Sequence, residues 1–176
     1  MSSSNIFMQM VTGLGPVVGE GLLEGWQGSV ELKSFEWGMQ AQKQQSKTKP
    51  GMAGAARSLA GVGPTIDVKM QALRFVKRFD VGSAQIHACL DNHKRVLSCS
   101  ITVLHMKAGD RIVHQPGFML TAADGYISEV EVDMVQTGSG VELIETVSLN
   151  FKEISMVYLK KFGKDNLPTL PFMHGT

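Results

Sequence analysis

A chain of 176 residues, 43% of them hydrophobic, is long enough for one domain with a sizeable core. A formal net charge of +1 argues against nucleic acid as the main partner, because that binding rests on neutralising phosphates. The charged fraction, 19%, is below the ~25% usual for globular proteins and leaves uncharged surface of the kind that meets another protein. Cys89 and Cys99 lack CxxC spacing and suggest neither a redox motif nor a zinc knuckle, so folding in a reducing compartment is expected. MSSSNIFMQMV lacks the charged n-region of a Sec signal, and no run of ~18 apolar residues predicts a membrane-spanning helix.

In chain order, Ile6 to Val11 alternates as a short strand, and the glycine-rich stretch Gly13 to Gly28 must turn. Val30 to Gly38 reads as a second strand. Its apolar set moves from Val30 and Leu32 to Phe35 and Trp37, which predicts a bulge. Met39 to Pro64 has few large apolar residues, many Gln and Lys, and an Ala/Gly-rich second half; it reads as a long loop, functional or idle. Thr65 to Phe75 resumes strand alternation. A helix follows, with Ser83 as its expected cap, Ile86, Cys89 and Leu90 on one face, and an end near Asn92, a residue that tolerates the left-handed conformation.

Arg95 to Met106 is a long strand, with a turn at Lys107 to Asp110. Arg111 to Thr121 is interrupted by Pro116-Gly117, which confines it to an edge or a bulge, and Tyr126 to Gln136 alternates cleanly. Val141 to Leu159 is the central strand. Val147, Leu149 and Phe151 share one parity, whereas Ile154, Met156 and Tyr158 share the other, so a bulge is expected at Lys152-Glu153. The tail from Lys160, with two prolines, is expected to be extended and able to dock on a neighbour. With strands not separated by helices, the fold class is mainly β: an antiparallel β-barrel of about seven or eight strands with one short flanking α-helix and a long extended loop. The expected layout is a barrel domain over 1–160, with the loop at 39–64 and an irregular tail at 161–176.

Chemistry is sought and not found. Gly13-Leu14-Gly15 is followed by no βαβ unit and reads as a turn instead of a cofactor loop. His87, His93, His105, His114 and His174 are scattered and form no HExxH, so no metal site is expected. No GxSxG occurs and no cysteine stands where its pKa would fall. Glu129, Glu131 and Asp133 line one strand face; they could bind Ca²⁺ or act as acid and base, but read as a solvated or lumen-facing edge. No enzyme and no cofactor are expected.

Three segments, VELKSFEWG (30–38), KRFDVGSAQIHACL (77–90) and TVSLNFKEISMVY (146–158), resemble the haemolysin-coregulated protein (Hcp) family, the tube subunits of bacterial type VI secretion systems. The most specific pieces are Ser148-Leu149-Asn150-Phe151 with Ile154, preceded by Gln136-Thr137-Gly138, and Ser34-Phe35-Glu36-Trp37-Gly38. The resemblance runs in order from Ile6 to Tyr158. It implies hexameric rings stacked into a hollow tube that is expelled with a spike at its tip, with the contractile sheath and effectors as further partners and no nucleic acid or membrane insertion. It implies cytoplasmic assembly followed by secretion. It also equates Met39 to Pro64 with an extended loop that reaches a neighbouring ring, making Gln40, Gln42, Lys43, Gln44, Gln45, Lys47 and Arg57 the candidate stacking residues. The alternative is a monomeric barrel that binds a ligand or peptide, or adapts an effector.

Overall fold

The computed structural model describes residues 5–43, 66–107, 113–138, 140–159 and 172–175. In order these form β1 (Ile6–Thr12), β2 (Gly15–Val17), β3 (Val30–Glu36), β4 (Met39–Lys43), β5 (Ile66–Met70), β6 (Leu73–Arg78), α1 (Ser83–Asp91), β7 (Arg95–Lys107), β8 (Val113–Thr137), β9 (Gly140–Tyr158) and β10 (Phe172–Gly175). Antiparallel neighbours run β9-β6-β3-β1-β7-β8, and β8 pairs back onto β9, so the sheet closes into a barrel without a free edge along this path. β2 adds to β1 and β10 to β9, which makes an 8-stranded sheet, within the expected seven or eight; β4 and β5 form a separate two-stranded hairpin.

The two-residue period fills the barrel. Met8 and Met10 point inward from β1, Leu73 and Phe75 from β6, Cys99 and Ile101 from β7, and Val147 and Leu149 from β9, all buried. Rows cross the barrel: Phe35 lies opposite Phe75, Phe75 opposite Val147, and Val147 opposite Val130. α1 lays Ile86 and Cys89 onto this core, at the spacing read from the sequence.

Several sequence expectations need correction. β9 has no bulge at Lys152-Glu153: its register against β8 is unbroken from Phe118↔Tyr158 to Ile127↔Leu149, and the shift lies on β8, between Ile127 and Glu129. The parity change is real but shared. On β8 the buried set passes from Leu120 and Ala122 to Gly125 and Ile127 around Asp124, which sits at φ 53°, so both strands change face together without an extra residue. Met39–Lys43 is a strand, not loop, and the single strand expected over Thr65 to Phe75 is two, β5 and β6, broken at Gln71-Ala72. There Gln71 N–H donates to the Gly38 carbonyl (2.9 Å), which carries the β3–β6 ladder into the β4–β5 hairpin.

The separate strands expected over Arg111 to Thr121 and Tyr126 to Gln136 are one, β8, because Ala122, Ala123 and Gly125 between them keep pairing with β7 and β9; Pro116-Gly117 is absorbed by a bulge opposite Val103/Leu104. A Cβ at Gly117 would lie 1.9 Å from the His105 ring, so a larger residue there would have to displace that ring. Ser83 does not cap α1; its hydroxyl is engaged elsewhere, and the cap position is Gly82 with no side-chain bond. Asn92 stays out of the left-handed region, and His93 enters it at φ 48°. The bulge in β3 falls as expected, between Leu32 and Ser34. Within the tail, Phe172–Gly175 pairs with Glu153 to Met156 of the same chain.

Candidate assembly surfaces

The hairpin carries the first surface. Exposed Gln40 pairs with Lys69, Gln42 with Asp67 and Lys43 with Ile66, so three of the candidate stacking residues share one stem strand. Gln44, Gln45, Lys47 and Arg57 lie outside the described residues.

β8 and β9 form the second surface by outrunning the barrel. The β7 ladder on β8 stops at Arg95↔Tyr126 and the β6 ladder on β9 at Arg78↔Ile144, yet β8 and β9 go on pairing as far as Thr137↔Gly140. The face that carries the core parity remains apolar on this overhang while losing its cover: Met134 is 75% exposed and Val141 68%, with Val132 and Leu143 also exposed. The other face is acidic. Glu131 reaches Arg74 (3.6 Å), and Glu142 accepts from Lys33 (2.5 Å) and from Arg78. The Lys33 hydrogen bond, helped by both cations, holds the Glu142 carboxyl below the usual carboxylate range. Glu129, Glu131 and Asp133 are all exposed, as a solvated edge would be, and among the described residues no group of three or more His, Cys, Asp or Glu could hold a metal ion.

Beneath α1 lies a charge cluster that the sequence reading missed. Lys77 and Glu145 stand directly opposite each other on β6 and β9, both at 0% exposure, with Nζ 2.7 Å from Oε1. Nζ also lies 2.8 Å from Asp80 Oδ1, 2.9 Å from Ser83 Oγ and 2.7 Å from the Arg78 carbonyl. The Ser83 hydroxyl donates to Glu145 Oε1 (2.8 Å) and accepts the Asp80 N–H, while His87 Nε2 sits 3.1 Å from Glu145 Oε2. These charges satisfy one another, which makes the cluster a clamp between α1 and two barrel strands. One signal could have revealed it: continuing the inward parity of Leu73 and Phe75 gives Lys77, and that of Leu149 and Val147 gives Glu145, two opposite charges at core positions.

Burial pushes the Cys99 thiol up to about 12, so it holds no thiolate at neutral pH. In the folded protein Cys99 is expected to stay unlabelled by a thiol reagent at neutral pH and to react once denaturant is added; mass spectrometry reading adduct on Cys99 under native conditions contradicts this. Gly13-Leu14-Gly15 is the turn between β1 and β2, held by Thr12 Oγ1, which accepts the Leu14 N–H and donates to the Gly15 carbonyl. Among the described residues no helix is long and apolar enough to cross a membrane.

A closed antiparallel barrel with one packed helix, a separate two-stranded hairpin and an exposed apolar ribbon defines a barrel suited to joining other protein surfaces. The family model described as type VI secretion system effector, Hcp, matches residues 7–158, and the chain belongs to that family, one of structural, secreted tube proteins. The fold is shared with a solved type six secretion system protein (16% identity, 98% of this chain and 96% of that one, TM-score 0.72) and with the Hcp1 protein from E. coli (14%, 99% and 100%, TM-score 0.69). It is also shared with the secreted protein Hcp3 from Pseudomonas aeruginosa (12%, 98% and 98%, TM-score 0.63). No curated protein sequence matches the chain.

Proposed function

We propose that the chain is a structural subunit of the type VI secretion inner tube, closing into hexameric rings that stack into a hollow conduit. The observation that carries this is the overhang of β8 and β9, whose core-parity face ends in exposed Val132, Met134, Val141 and Leu143. A contiguous apolar stripe continuous with a core marks a protein contact, and a second copy of the chain is the partner that the family supplies. A surface that meets a different surface on the next copy closes into a ring when the rotation permits, and rings so made can stack. On this reading the candidate residues of the loop, from Gln40 to Arg57, touch the next ring, the tube is sheathed and tipped by a spike, and effectors travel in its lumen. The subunit is assembled in the cytoplasm before it is secreted.

Electron microscopy of the purified protein is expected to show six-fold rings. Changing Met134→Asp together with Leu143→Asp places two carboxylates in the stripe and is expected to leave a folded monomer, with unchanged circular dichroism and no rings. Intact rings from this variant rule the ribbon out as the ring contact, and a homogeneous monomer from the unaltered protein at high concentration rules out the tube-subunit reading.

A further inference from the structure

β9 outruns β6 at its far end as well as at the overhang. Its ladder with β8 continues to Phe118↔Tyr158, whereas on the opposite edge β6 stops at Leu73↔Leu149. Among the described residues one strand covers that edge further along. It is β10, with Met173 opposite Ser155 and His174 opposite Ile154. The backbone of β9 is already fixed as a strand here without β10, because β8 pairs with its other edge, Ile154 is buried and Met156 packs against the core. A preformed strand edge of this kind is a template for another strand.

The sequence of the edge suits its own copy. The run ISMVY at 154–158 has no charge and no proline and is rich in β-formers, the composition of a self-pairing segment. Antiparallel pairing of two such edges about Ser155 sets Ile154 opposite Met156, Glu153 opposite Val157 and Lys152 opposite Tyr158, so no like charges meet. Centred one residue on, at Met156, the same pairing would set Lys152 against Lys160. The cover that prevents this is slight. β10 is a strand of 4 residues, and residues 159–171 stand between it and β9, where antiparallel neighbours are usually joined by about two to five. Closing the longer loop costs more entropy than closing a tight turn.

We infer that β10 is an edge guard: it holds shut the stretch of β9 around Ser155, which otherwise pairs with the same stretch of a second copy. Such a contact is self-complementary about a two-fold axis, so it closes at a dimer, and it is separate from the exposed stripe from Val132 to Leu143. The test uses the full-length chain carrying Met134→Asp and Leu143→Asp, which suppresses contacts through the stripe. Met173→Pro with His174→Pro is then added, since prolines at successive positions remove whichever N–H faces β9. Analytical ultracentrifugation at high micromolar concentration is expected to read a monomer before the prolines are added and a dimer after, with circular dichroism unchanged. Adding Ser155→Lys, which sets two lysines face to face in the dimer, is expected to restore the monomer. A folded proline variant that stays monomeric overturns the guard, and so does a dimer that Ser155→Lys leaves intact. Loss of the folded signal in the proline variant also overturns it, because β10 is then a support of the barrel and not a cover. If the chain with Met134→Asp and Leu143→Asp still forms rings, the stripe fails as the ring contact, and the guard is judged separately by whether the prolines join those rings into larger species.

Discussion

Replacing Lys77 by alanine is expected to lower the unfolding free energy by about 3–5 kcal/mol, the range for removing one partner of a buried ion pair. The size follows from what stays behind. Glu145, wholly buried, would keep only the Ser83 hydroxyl and His87 as partners, and Asp80 would lose its cation while still accepting the Gly82 N–H. The pair itself is a different quantity from its rupture. Desolvating two charges offsets most of their attraction, so Lys77→Met combined with Glu145→Leu is expected to recover most of the loss. Denaturant titration of the three proteins separates the two effects. A loss below about 1 kcal/mol for Lys77→Ala would show that the cluster is hydrated and that its clamp is weak. Because the clamp joins α1 to β6 and β9, amide exchange in α1 should quicken more than exchange in β7, which contributes none of its members.

The same cluster shows where the sequence was legible and where it was not. Alternation read locally placed Val30 to Gly38, Arg95 to Met106 and Val141 to Leu159 as strands, because a half-buried strand writes its period into its own side chains. The β3 bulge was legible for the same reason, since one inserted residue moves the apolar set from Leu32 to Phe35. The parity change near Lys152 looked identical from one strand. Only the partner strand, with Asp124 at positive φ, distinguishes a shared change of face from a bulge. Pairings between residues far apart, such as Lys77 with Glu145 or Leu32 with Lys77, follow from barrel closure, which no local pattern encodes. Met39–Lys43 was hidden by its composition: Gln, Ala and Lys suit a two-stranded stem outside the barrel, which buries too little to need a hydrophobic period. The candidate stacking loop was proposed from the family resemblance alone. The overhang of β8 and β9 emerged only when the ends of the β6 and β7 ladders were set against their length.

The second large effect is expected from Phe75→Ala, also about 3–5 kcal/mol. Phe75 is at 0% exposure in the middle of a row, with Phe35 across one ladder and Val147 across the other. β6 is hydrogen-bonded on both sides, to β3 and to β9, so neither neighbouring strand can move in to fill the vacated volume without breaking a ladder. A site that cannot collapse keeps its cavity, which puts the cost in the upper part of the range for large-to-small changes. Phe151 provides the internal comparison. It is only half-buried, 6.3 Å from the Trp37 ring, and its replacement by alanine is expected to cost roughly half as much. A urea titration in which the midpoint falls further for Phe75→Ala than for Phe151→Ala, at constant slope, would bear out this ordering. Equal shifts would mean that the row relaxes around the cavity, and that the barrel is held by its ladders more than by its packing. Either variant, where folded, should still form rings, because neither side chain lies on the exposed stripe from Val132 to Leu143.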